Sequence, residues 1–238
     1  MHNETDLLKK QIKQLQVGLL CSISLILFFI LIAFKNQQEK FDIIRARGII
    51  IEDSLGRDRV LIGAPIPASQ TRVRTDTDLV RKYWGGKYKD VNQFMSWYKD
   101  YSHHATGMVV LNEEGFDRVQ IGDKLSDPNS GKRLFEVAGV LWNNPQGWEM
   151  GGAGVNTSKD GTSRAVMGLD DNQGEAVHIV ALEDGTKGII IGGENGRLMI
   201  GMSKKDGQWF QNKEAFTGIR YFGTDGKMLW EQQMGKNK

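Results

Sequence analysis

The stretch GIIIEDSLGRDRVLIG, Gly48–Gly63, decides how the chain is read, because a near copy, GMVVLNEEGFDRVQIG, runs from Gly107 to Gly122. The two align without a gap at an offset of 59 residues. Asp58, Arg59, Val60 and Ile62 recur as Asp117, Arg118, Val119 and Ile121, and Gly48, Gly56 and Gly63 recur as Gly107, Gly115 and Gly122. The step from first glycine to turn glycine returns at Gly139–Gly147, Gly188–Gly196 and Gly218–Gly226. A weaker member carries Val166 in place of the first glycine and ends at Gly174. Internal repeats of this kind describe a building unit before they describe a site.

Each unit reads as a β-hairpin or β-arch. Ile49 to Ile51 are β-branched and favour a strand. The segment EDSLG supplies turn chemistry, and Val60 and Ile62 then fall on one face by period two. Parallel strands would need crossovers of roughly a dozen residues, which the short turns inside these units do not allow. The predicted fold is therefore mainly β: an antiparallel sheet domain of about six repeated hairpin units, with little helix after residue 104. The intervals between turn glycines, 59, 32, 27, 22 and 30 residues, drift too much for a strict solenoid. A sandwich, a barrel-like closure or an irregular solenoid fits them. A prism with faces from three chains is a further form, because it would cover the sheet edges.

Outward from the repeat, the chain divides into six parts. Residues 1–16 form a short segment with a heptad-like stripe, and 17–34 form a transmembrane helix. Residues 35–41 are a linker and 42–69 the first hairpin unit. Residues 70–103 are a helical insertion, and 104–238 hold the remaining units of one β domain. The span VGLLCSISLILFFILIAF carries no charge, and eighteen residues at about 1.5 Å each make roughly 27 Å of helix, close to a hydrocarbon core of about 30 Å. A cleaved signal peptide is the competing reading. Against it stand the length of the apolar run and the lack of a small-residue cleavage site after Ala33. Lys9, Lys10 and Lys13 precede the span, whereas Lys35 and Lys40 follow it with Glu39 between them. The positive-inside rule then gives a cytoplasmic N-terminus and an exported C-terminal domain, periplasmic or extracellular, by a narrow margin. Leu8, Ile12, Leu15 and Leu19 are spaced 4, 3 and 4, a stripe through which anchor helices would oligomerise.

In the insertion, Thr75, Thr77 and Asp78 are candidate caps for a helix around DLVRKYW. Val91, Phe94, Met95 and Tyr98 make an apolar stripe on a second helix. A helical hairpin covering one end or edge of the sheet follows. Most of its aromatics are expected to pack inward, with Trp97 the candidate contact to a partner.

Composition bounds the chemistry. The chain has 31 basic and 29 acidic residues, so its balance gives no reason to expect nucleic acid. Its one cysteine, Cys21, lies in the span, which excludes a disulfide-stapled module and a Cys-ligated metal in the β domain. His103 and His104 would point to opposite faces of a strand, and His178 is expected on a polar strand face, so no metal is expected. No G-x-S-x-G elbow, P-loop or dinucleotide fingerprint is present, and SKDG and DDNQG lack the ligand series of a calcium loop. No catalytic residue and no cofactor are assigned. Arg59 and Arg118 repeat in position, and an intermolecular contact, or an ion pair of Arg59 with Glu52, would use them.

The role these features favour is a membrane-anchored structural or accessory scaffold. It binds the bilayer through residues 17–34, and its β domain binds other envelope proteins or itself as a homo-oligomer. A carbohydrate- or peptide-binding module is the alternative, requiring Trp142, Trp148, Trp209 and Trp230 to converge on one concave face. An enzyme comes third, requiring two carboxylates, or a histidine and a carboxylate, at a pocket.

Overall fold

The computed structural model describes residues 2–35, 43–129, 135–172, 174–207 and 214–235. The chain forms two units, residues 1–45 and 46–238. The first is one unbroken helix, α1 (His2–Lys35), through both the striped segment and the apolar span. Its stretch Leu7–Ile30 is long and apolar enough to cross a membrane or act as a signal anchor. Leu8, Ile12, Leu15 and Leu19 are all exposed on it. The predicted linker lies, apart from Lys35, outside the described residues.

The second unit is built on twelve strands: β1 (Gly48–Glu52), β2 (Asp58–Gly63), β3 (Thr106–Leu111), β4 (Asp117–Asp123), β5 (Glu136–Asn143), β6 (Glu149–Thr157), β7 (Ser163–Asp171), β8 (Gly174–Leu182), β9 (Lys187–Gly193), β10 (Gly196–Ser203), β11 (Phe216–Phe222) and β12 (Met228–Gln233). They form one open antiparallel meander in chain order, with β1 and β12 at its edges. The six predicted units are its six hairpins. Among the described residues no helix follows residue 104. The sheet is open, so it does not close as a barrel; its strands pair in a single series from first to last.

The repeated glycines have two jobs. Turn glycines sit fourth in a recurring loop: the Asp53 N–H donates to the Arg57 carbonyl and the Gly56 N–H to the Asp53 carbonyl. The same pair of bonds recurs at Asn112 and Gly115, at Asn144 and Gly147, and at Gly223 and Gly226. At the opposite end of the sheet it recurs at Ser158 and Gly161 and at Leu182 and Gly185, so SKDG is a hairpin turn. In five of the six hairpins a β-bulge follows, at Arg59, Arg118, Met150, Ala176 and Leu229. Such bulges strengthen the local twist.

The leading and closing glycines pair across strands. Gly48, Gly63, Gly107, Gly122, Gly139, Gly154, Val166, Val180, Gly188, Gly201, Gly218 and Gln233 form one row over the whole sheet. A Cβ placed on Gly107 would lie 1.9 Å from the Ile121 carbonyl oxygen, and one on Gly122 would lie 2.0 Å from that of Thr106. Only a missing side chain permits so close an approach of two backbones. That is why the second copy of the repeat opens and closes on glycine; in the first copy a Cβ on Gly63 would meet the Pro65 carbonyl oxygen at 2.4 Å, and one on Gly48 would make ordinary contact with Pro67.

Between β2 and β3 stand α2 (Thr77–Tyr83) and α3 (Val91–Tyr98). The cap of α2 is Asp76, whose carboxylate accepts from the Asp78 and Leu79 N–H groups, in place of the predicted threonines and Asp78. Asp90 caps α3 in the same way. The predicted stripe holds: Phe94 and Tyr98 are buried, with Val80, Trp84, Tyr101 and Phe116, and Met95 packs against them. A second cluster lies under the sheet, where Ile66, Ala105 and Leu125 cover Leu61, Val109, Leu111, Val137 and Leu141.

The insertion is tied to the sheet by ions. Arg72 Nε and Nη2 each donate to the Asp117 carboxylate at 2.7 Å, and Arg74 Nε donates to it at 3.2 Å. Arg74 also donates to the Gly147 carbonyl and lies 4.1 Å over the Trp84 ring. His103, in the loop before β3 rather than in a strand, stands beside this cluster with its ring 4.8 Å from Tyr101. Burial first, then the charges of Arg72 and Arg74, push its imidazole down to about 4. A histidine held neutral in the fold binds its proton more readily when unfolded, near a pKa of about 6.5. Stability is therefore expected to fall as pH drops from about 6.5 toward about 4 and to be insensitive to this group above that window. Thermal midpoints of the native chain and of His103→Gln across that range check this: the variant's profile should be flatter.

Candidate interaction face

The sheet has two faces of different chemistry. On the inner face, one row is Ile50, Leu61, Val109, Gln120, Leu141, Gly152, Gly168, His178, Ile190, Met199, Arg220 and Glu231. Leu61, Val109, Gln120, Leu141, His178 and Met199 are buried there, and Arg220 pairs with Glu231 at 2.8 Å. His178 thus lies, as its flanking valine and isoleucine suggested, on the polar face of β8, where it is largely buried.

Over β5 to β8 the inner face opens into a trough of about 420 Å³. Its floor is Gly151, Gly152, Gly154 and Gly168, and its walls include Glu149, Arg164, Asp170, Glu175 and His178. His178 Nδ1 lies 3.1 Å from Glu175 Oε2. A histidine beside a carboxylate can hold or relay a proton, but no serine, threonine or cysteine lines the trough among the described residues. Nor do any three His, Cys, Asp or Glu side chains among those residues stand close enough to share a metal.

The outer face carries two adjacent rows. The first is Ile49, Ile62, Met108, Ile121, Val140, Ala153, Met167, Ile179, Ile189, Ile200, Ile219 and Gln232; the second is Ile51, Val60, Val110, Val119, Trp142, Gly151, Leu169, Val177, Ile191, Leu198, Tyr221 and Trp230. No position in either row is charged. Ile51, Met167, Ile179, Ile191 and Trp230 are 39% to 50% exposed. Eleven inter-strand steps of about 4.8 Å and two rows each about 6.8 Å wide give an apolar strip of roughly 50 by 13 Å, or about 700 Å². The largest apolar patch of a typical monomer is about 300–600 Å².

The residues singled out in the sequence fall elsewhere. Arg59 Nε donates to the Leu111 carbonyl at 3.2 Å, and Arg118 Nε donates to the Asn143 carbonyl at 3.1 Å. Each arginine therefore clasps the strand end of the next hairpin, which explains their shared position by an intramolecular bond. Arg59 also meets Asp53 at 3.4 Å; this, and not Glu52, is its acidic neighbour in the structure. Trp97 is 36% exposed and sets its edge against Tyr88. The four tryptophans do not converge among the described residues: Trp148 packs beside Trp84, Trp142 and Trp230 stand seven strands apart in the second outer row, and Trp209 lies outside the described residues.

The outer face was missed because it needs register, yet it left a signal. A strand with one solvated face alternates apolar and polar residues; one covered on both sides reads as a continuous apolar run. Ile49–Ile51, Met108–Leu111 and Ile189–Ile191 are such runs. No family model, no curated protein and no solved structure matches this chain.

Proposed function

We propose that this chain is a membrane-anchored structural or accessory scaffold. Helix α1 holds it in the bilayer with the N-terminus cytoplasmic, and the β domain, periplasmic or extracellular, binds envelope proteins or its own kind. The observation that carries this reading is the outer face, whose two rows run through all twelve strands without a charged residue. A surface of that extent is characteristic of a protein contact.

The test uses Cys21→Ser chains with a single new cysteine, since Cys21 is the sole native thiol. A membrane-impermeant maleimide added to intact cells should label Lys159→Cys, in an exposed turn, and leave Met167→Cys, in the first outer row, protected. Equal labelling of both would show a bare face and end the scaffold reading. The acidic trough favours a second reading, a carbohydrate- or peptide-binding module. On that reading the outer face labels freely and a saturating ligand protects a cysteine placed at Glu149 instead.

A further inference from the structure

We propose that the outer face is covered by the same face of another copy of this chain, so that the protein assembles as a homo-oligomer around its two apolar rows. This rests on the scaffold reading and names its partner. Several features of the strip argue for a second copy.

Its area, about 700 Å² by strand geometry, is close to the roughly 800 Å² that each partner gives to a standard interface. It is also charge-free along its length, so it asks for no complementary charge from whatever covers it. A covering surface must therefore be a long apolar strip of matching width, and this chain itself presents one. Side chains of two such sheets share one strand spacing and interdigitate when the faces pack about 10 Å apart. Ile49, Ile62, Met108 and Ile121 line an open hollow of about 600 Å³ on this face, room for side chains entering from a facing sheet.

The flanking row fits the same arrangement. Ala138, Ala165 and Ala181 are small and Val155 and Met202 apolar, with charges at Arg47, Asp123 and Lys187. Small residues beside large ones let two faces close without a raised rim. The continuous apolar runs of β1, β3 and β9 call for cover on both sides. On β3 the described chain supplies cover on the inner face, where Val109 and Leu111 are buried with Ile66, Ala105 and Leu125.

The experiment places a photoreactive phenylalanine analogue at Met167 in the full-length chain and irradiates it in its own membranes. Met167 lies on the seventh of twelve strands, near the middle of the row, so it meets a facing copy whether the two sheets run in the same or opposite sense. The same probe at Ile191 is the companion in case one position perturbs folding, and the probe at Lys159 is the turn control. The expected product is an adduct of twice 26.7 kDa from Met167 and Ile191 and not from Lys159. In chains that also carry Ile179→Lys, the adduct should fall to background. An adduct with a different polypeptide overturns self-packing and leaves the scaffold reading standing. Adducts with lipid alone, or none at either position, overturn both.

Discussion

Replacing Asp117 by asparagine is expected to be among the most destabilising single changes this chain can suffer. The carboxylate is fully buried and is the shared acceptor of Arg72 and Arg74, themselves almost fully buried. Asparagine preserves the shape and removes the charge, leaving two guanidinium groups inside the fold with no anion. Breaking one side of a buried ion pair costs about 3–5 kcal/mol, mostly through the charge left behind. The effect should appear as a lower urea midpoint of the detergent-solubilised chain. The same group sets an acid limit. Burial alone would raise the Asp117 carboxyl, but the charges and hydrogen bonds of Arg72 and then Arg74 outweigh it and hold it below the usual carboxylate range. Because its folded pKa is depressed, its stabilisation is complete above the unfolded value of about 3.9 and is lost as pH falls through the lower folded value. This loss should vanish in Asp117→Asn, whereas the His103 loss, which sets in at a higher pH, should persist. A small change in midpoint would mean that the two arginines reach solvent and that the insertion is held by its aromatic core alone.

The second large effect is expected at the glycine row. Gly122→Ala puts a methyl group where the Thr106 carbonyl oxygen stands, 2.0 Å away, with the Gly107 Cα at 2.9 Å. Both obstacles are backbone, so β3 and β4 must part to admit it. A loss of about 4 kcal/mol or more is expected, in the range reserved for such steric failures. Gly56→Ala is the control. Its φ of +73° disfavours alanine, but a Cβ there meets nothing within 4 Å. The cost should be only the roughly 1–2 kcal/mol of a left-handed residue. Urea unfolding of the two variants side by side checks the contrast. Equal costs would show that the row glycines serve conformation and not close approach.

Local codes were legible. Gly56 and Gly115 mark turns because a residue with positive φ ends each loop, and Val60 with Ile62 shows its face by alternation. Val91, Phe94, Met95 and Tyr98 declared the second helix by their spacing. The Asp117 lock was not legible: Arg72 and Arg74 lie 45 and 43 positions away in the chain, and nothing local to either end announces the pairing. Arg59 and Arg118 were visible as a repeat, but their acceptors, the Leu111 and Asn143 carbonyls, are backbone atoms that no residue type signals. The face of His178 was legible, because it alternates with the apolar Val177 and Ile179, whereas its burial was not. Those neighbours belong to the outer strip and the histidine to the opposite, polar side, beside Glu175.

The sequence by itself determined a charge-free helix long enough to cross a bilayer, six hairpins, their antiparallel sense and the helical insertion, because each follows from residues within a few positions of one another. Only the tertiary structure decided that the hairpins pair side by side in chain order across one open sheet. That pairing lines up apolar residues from positions 49 to 230 into two continuous rows. A strand written alone shows which residues alternate, but which of two apolar faces is left to other molecules depends on what the rest of the chain covers.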